Sequence, residues 1–181
     1  FRYFSKMQHF SKRFHFWINE ISPKIAPYSH KLNLKLISNS FLEELDQDKY
    51  KIYLRSVNKK IQIFCKENIP LFTEMEAKQQ EYGAISAKMS VEVDGKKITM
   101  QKASQLLKDT NRKKREKIYQ KISNRRLKDE TALDNLFDDL ILLRQKIAKN
   151  SGFDNYRDYM FAAMGRFDYT PKDCFNFHNA I

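Results

Sequence analysis

The side chains that most often do chemistry are few in this chain and poorly spaced for it. His9, His15, His30 and His178 are its four imidazoles. A helical zinc hydrolase needs His-Glu-x-x-His, because two imidazoles one turn apart face one metal while the Glu activates its water. None of the four sits in that pattern. Glu130, Asp134 and Asp138 fall at i, i+4 and i+8. A carboxylate metal bundle would join such a stripe to Glu-x-x-His motifs on other helices. The sequence has none, so the stripe reads as a solvated face near a helix N-terminus. Cys65 and Cys174 are the two thiols. Cys174 follows Thr170-Pro171 in the first turn of an expected helix, where a thiol pKa falls, and it is the better nucleophile of the pair. With no His or Asn at a recognisable spacing, both read as structural. From the residues alone, no catalytic residue and no metal ligand is expected.

The cations are the other chemical feature. Lys114, Lys117, Lys121, Arg125 and Lys128 fall close to one helix face, beside the dense run Arg112-Lys113-Lys114-Arg115. Such a helix could track phosphates with a salt-dependent affinity. Glu116, Asp129 and Glu130 dilute its field, and no groove-reading motif accompanies it. The whole chain has 34 Lys and Arg against 22 Asp and Glu, a net charge of +12. Of the cations 24 are Lys, whose spread over helix surfaces serves solubility, whereas nucleic-acid recognition favours clustered Arg. Nucleic acid is not the favoured partner.

These residues must be positioned by helices. The 181 residues are 41% hydrophobic and 13% aromatic, enough for a real core. Four Gly and four Pro leave too few turn makers for a many-stranded sandwich or barrel. Phe10, Phe14, Trp17 and Ile21 mark one helical stripe, and Ile25, Tyr28, Leu32 and Leu36 a second beyond the break or fresh start at Ser22-Pro23. Ser40 and Glu43 fit a capping box. Tyr50, Tyr53, Val57, Ile61 and Phe64 form the next stripe, which Ile69-Pro70 interrupts. Leu71, Met75 and Tyr82 continue in a helix expected to fade near Gly83.

Residues 89–100 change period. Met89, Val91 and Val93 alternate with polar residues, Asp94-Gly95 follows, and Ile98 and Met100 resume the alternation, which predicts a tight hairpin. Helix then returns. Thr99 and Asn111 are expected caps, Leu133 to Ile147 a broad apolar face ended by Asn150-Ser151-Gly152, and Asp154 the start of the next helix. Thr170-Pro171-Lys172-Asp173 opens the last. The expected fold is all-α, a multi-helix array with one small β-hairpin: helices over 1–88, the hairpin at 89–100, helices over 101–181. No apolar run approaches a membrane span. A chain without an initiator Met that stops within a new apolar stripe reads as an internal fragment, and thiols without a disulfide framework suit a cytoplasmic location.

Several stretches resemble one family. Glu81-Tyr82-Gly83-Ala84-Ile85 followed by Met89-Ser90-Val91-Glu92-Val93-Asp94-Gly95 is similar to the helix-to-hairpin passage of oligoendopeptidase F-type zinc metallopeptidases, in the thimet oligopeptidase superfamily. Leu107 to Arg112 with Arg115-Glu116, Asn150 to Tyr159, Ala163 to Thr170 and Ile21 to Ser38 resemble further passages in the same order. The resemblance implies an elongated helical peptidase with a narrow channel that admits short peptides. In that family zinc is held by His-Glu-x-x-His and a downstream Glu, and the motif Glu is the general base. All those residues lie C-terminal to the matched stretch. The resemblance thus implies an N-terminal-half piece of a metalloendopeptidase, supplying channel wall and scaffold, without its own zinc and inactive alone. Its partners would be the C-terminal catalytic half and peptide substrates, with Arg166 and Tyr169 as candidate channel contacts. The alternative is a stand-alone basic helical module that binds nucleic acid or another acidic partner.

Overall fold

The computed structural model describes residues 10–181. His9 and most of the aromatic and basic alternation at the start lie outside the described residues. The fold class is the one read from the sequence: helices throughout, with one two-stranded antiparallel hairpin. Two compact units divide the chain. The first comprises the described residues up to Ala77 together with Leu142–Ile181, and the second Lys78–Ile141.

In the first unit, helix α1 (residues 10–16) runs into a single π turn, Trp17–Ile21, and on into α2, Ser22–Ile37. Ser22-Pro23 begins α2 without breaking the chain. The Ser22 N–H reaches back to the Trp17 carbonyl, one residue further than in an α-helix. Pro23 has no N–H to continue that register, which leaves the Ile18 carbonyl without a helical donor. The Thr73 hydroxyl fills the gap at 3.1 Å, and lies 3.3 Å from its own Ile69 carbonyl. The extra residue in the π turn also rotates the helix face. Ile18 is the buried residue here, at 1% exposure, whereas Phe10, Phe14 and Trp17 of the expected stripe are exposed. Ile25, Tyr28 and Leu32 on α2 are exposed as well.

Ser40 does not open the next long helix. Asn39 caps a short 3₁₀ turn, Ser40–Glu44, by accepting from the Phe41 N–H at 2.9 Å. Leu45 is extended, and Asp46 then caps α3, Gln47–Ile63, through the Lys49 N–H. On α3 the buried residues are Leu54 and Val57, so the apolar face centres one position beyond Tyr53, which stays exposed. The interruption expected at Ile69-Pro70 falls earlier, where the chain extends at Phe64. Helix α4 starts at Asn68 and absorbs Pro70 in its first turn, where backbone N–H groups have no intrahelical partner to lose. It passes Gly83 without ending and stops only at Lys88.

The junction of these helices is polar. Asn68, 1% exposed, donates to the Ile147 carbonyl at 3.0 Å and to Ser151 Oγ at 2.9 Å. Its own Oδ1 accepts from Asn150 Nδ2 at 2.8 Å, and Ser151 Oγ donates to the last carbonyl of α3, Ile63, at 3.0 Å. Helix α7, Glu130–Asn150, ends as expected at Gly152, whose φ of 80° suits glycine. The N–H groups of Gly152 and Phe153 close on the carbonyls of Lys149 and Ala148. Asn155, rather than Asp154, then caps α8, Tyr156–Ala163, through the Asp158 N–H. Thr170 and Asp173 form a reciprocal capping box on α9, Pro171–Asn179, as the sequence predicts.

In the second unit the hairpin pairs β1, Ser90–Val93, with β2, Lys96–Thr99. Asp94 and Gly95 carry φ of 51° and 72° at its two-residue turn. The register places Val91 opposite Ile98. Thr99 caps α5, Met100–Gln105, a 3₁₀ turn covers Leu106–Lys108, and Asn111 caps α6, Arg112–Leu127. Val91 and Val93 pack on Ala103, Ile118 and Ile122, with Ile98, Met100, Leu106 and Leu107 around them.

Two substitutions test this packing. Thr73→Val should cost about 1–2 kcal/mol by stranding the Ile18 carbonyl, and Thr73→Ser less. Asn68→Ala should cost about 2–3 kcal/mol, because three hydrogen bonds, one buried and two part-buried, are lost together. Urea unfolding of each variant measures both.

Candidate functional site

The two sequence candidates, Arg166 and Tyr169, follow α8. That helix ends in a glycine-terminated motif: the Gly165 N–H bonds to the Ala162 carbonyl and the Arg166 N–H to the Phe161 carbonyl at 3.0 Å. Gly165 has φ of 65°, which favours glycine, and a Cβ there would lie 3.3 Å from the Phe167 ring, a tight contact. The turn brings both candidates onto one aromatic ring. The Arg166 guanidinium stacks over Phe161 at 4.9 Å, and Tyr169 meets the same ring edge-on at 5.8 Å. Tyr169 remains 45% exposed, with its ring partly open to solvent.

The next two residues turn to α3. The Arg55 guanidinium lies 4.2 Å over the Phe167 ring, and both its terminal nitrogens donate to Asp168 Oδ1 at 3.3 Å. The Asp168 carboxylate is largely exposed, so this ion pair adds little stability. The ring contact fixes the guanidinium plane more than the carboxylate does. Arg55 Nε is buried without a partner among the described residues. Beside it opens a hollow of about 750 Å³, lined by Leu54, Arg55, Asn58, Gln62 and Phe167, with Gln47, Asp48, Lys51 and Lys59 at its other walls. Its size is that of a small-ligand site. Amides, cations and one aromatic ring can hold a peptide there by hydrogen bonds and charge. Nothing in this set is placed to break a bond.

Sequence reasoning missed Arg55, Phe167, Asp168 and this hollow. Arg55 and Asp168 meet across 113 residues, and no spacing rule connects them.

None of the other groups with chemical potential lines this hollow. Cys65 Sγ donates to Glu67 Oε2 at 2.9 Å, and burial followed by that hydrogen bond pushes its thiol pKa up, away from the thiolate. Cys174 lies in the first turn of α9, half-buried. His30 stacks on Phe64 at 3.9 Å, and His15 and His178 sit beside Phe14 and Phe177. Glu130, Asp134 and Asp138 lie exposed along α7. Among the described residues no group of three His, Cys, Asp or Glu is placed to hold a metal ion. No described helix is long and apolar enough to cross a membrane.

No protein-family model matches the chain, and no curated protein matches it in sequence. Its backbone does have close counterparts among solved structures. A crystal structure assigned as an oligoendopeptidase F from Bacillus anthracis str. Ames matches 94% of this chain with TM-score 0.86 and 23% identity. A second oligoendopeptidase F structure matches 93% with TM-score 0.85 and 21% identity. The chain has the oligoendopeptidase F fold. Pz peptidase A in complex with an inhibitor matches 95% of it, again with TM-score 0.86, at 19% identity. The chain spans about a third of each of these proteins, 31%, 30% and 31% of their length.

Within that fold Tyr159 is the buried phenol of α8. Burial, and secondarily the neighbouring Tyr156, push its pKa up to about 12. The unfolded phenol titrates near 10, so between about pH 10 and 12 the unfolded chain binds fewer protons than the folded one. Stability should therefore fall as pH rises through that window, by about 1–3 kcal/mol in total. Tyr159→Phe should flatten this part of the curve, as seen in urea midpoints measured against pH.

Proposed function

We propose that this chain is part of an oligoendopeptidase F-type zinc metallopeptidase, and that it supplies channel wall and scaffold to an enzyme that cleaves short peptides. The observation that carries the reading is the fold match: nearly all of this chain superposes on less than a third of each peptidase. The ordered passages at 21–38, 81–95, 107–116 and 150–170 point the same way.

In this reading the catalytic zinc is held outside these 181 residues, by a His-Glu-x-x-His pair and a later Glu in the C-terminal catalytic half. The described residues fit no zinc site, and no step of hydrolysis is assigned to them. Their part is to bind and orient. Arg166 and Tyr169, braced on Phe161, are proposed as channel contacts for the peptide substrate. Arg166 would meet a carboxylate or a backbone carbonyl, and Tyr169 would offer its hydroxyl and ring face. The proposed location is the cytoplasm.

Metal analysis of the purified 181-residue chain tests the division of labour. It should retain no stoichiometric zinc and cleave no quenched-fluorescence peptide, whereas tight one-to-one zinc would overturn the assignment. In the complete enzyme, Arg166→Ala and Tyr169→Ala should each raise KM by about 3–10-fold with kcat little changed, the signature of lost uniform binding. A fall in kcat with KM unchanged would remove both residues from the channel.

A further inference from the structure

The net charge of the chain is not evenly spread. Residues 88–128 carry 14 Lys and Arg against 4 Asp and Glu, so +10 of the +12 lies in 41 residues. All of them belong to the second unit. On α6, Lys113, Lys117 and Lys121 follow one another a helical turn apart, about 6 Å along the axis. With Lys114 they line a hollow of about 410 Å³ whose remaining walls are Asn111, Ile118 and the hairpin residues Val93 and Asp94.

Internal compensation is partial. Lys114 pairs with Asp109 at 2.7 Å, and Lys121 Nζ donates to the neutral backbone carbonyl of Glu92 at 2.7 Å. Lys113 and Lys117 are exposed and form no ion pair among the described residues. Asp94 is the one carboxylate in the lining. A concave surface with like charges on low-dielectric walls concentrates its field on whatever enters.

We propose that this lysine-lined hollow captures the Asp and Glu side chains of acidic oligopeptides, which would make acidic peptides a preferred substrate class. The inference rests on the peptidase reading. The chemistry of the hollow favours peptide carboxylates over a nucleic-acid strand. Its lining has no aromatic ring on which a base could stack. Its cations are compact ammonium groups rather than the planar forks that grip phosphates in pairs.

The test uses the 181-residue chain and fluorescein-labelled octapeptides, read by anisotropy. A Glu- and Asp-rich peptide should bind at least about ten-fold tighter than a neutral Ser- and Gly-rich one at about 50 mM salt, and lose most of that advantage at about 300 mM, where charges are screened. Lys113→Glu with Lys117→Glu should abolish the preference. Lys31→Glu with Lys35→Glu on α2, the same change in net charge, should alter it less than about two-fold. Matching circular dichroism of both variants excludes unfolding as the cause. Equal affinity for the acidic and neutral peptides, or equal loss in both double variants, would overturn the proposal. So would a uridine octanucleotide that binds more than about ten-fold tighter than the acidic peptide, which would make the occupant a nucleic acid. Zinc content and cleavage by the longer protein judge the peptidase reading independently.

Discussion

Backbone carbonyls that a helix leaves open must find donors elsewhere, and in the first unit Thr73 of α4 and Ser151 beyond α7 supply them. Pro23 removes the donor for the Ile18 carbonyl, and Thr73 replaces it. The end of α3 exposes the Ile63 carbonyl, which Ser151 satisfies, and Asn68 adds a second donor to the Ile147 carbonyl that the Ser151 N–H already reaches. An unmade bond of this kind costs more than a made one contributes, so the π turn and the end of α3 are tolerated because Thr73 of α4 and Ser151 beyond α7 lie in register with them. The turn after α8, and with it Arg166 and Tyr169, hangs from the same α7 terminus through Gly152 and the Asn155 cap.

The second unit follows a different logic. Its core is small and dry, with two valines of the hairpin against Ala103, Ile118 and Ile122. With Ile118 and Ile122 turned inward, α6 carries cations at most of its outer positions. Lysine stems can lie along a helix surface while their heads stay in water, so the fold tolerates that charge without needing it. Charge retained beyond what the fold needs is what an interaction surface has to offer.

The regular parts of this architecture were legible in the sequence because they obey local rules. Period-two alternation around Asp94-Gly95 located the hairpin to within a residue, since that dipeptide fits the φ > 0 turn. Thr99, Asn111 and Thr170 were readable as caps for the same reason. The errors arose where one local signal met a competing one. Ser40-x-x-Glu43 has a capping-box pattern, but Asn39 and Asp46 on either side are better placed acceptors, and a 3₁₀ turn resulted. Gly83 resembled a terminator, yet it lies inside a helix whose neighbours are good helix formers. Burial falls on Ile18 and not on the stripe of Phe10, Phe14 and Trp17, which stays exposed, and apolar periodicity alone gave no sign of it. At the candidate site, Arg166 and Tyr169 came from resemblance alone, while Arg55, Phe167 and Asp168 are joined only by tertiary structure.

Under the proposed function, this chain is one part of a peptidase whose chemistry is done by residues outside it. The most direct test is to read the coding DNA on both sides of the segment and translate it in frame. The account predicts a downstream His-Glu-x-x-His, with a Glu one helix further on, in a product about three times this length. A stop codon directly after Ile181, with no such motif in the same reading frame, would contradict it.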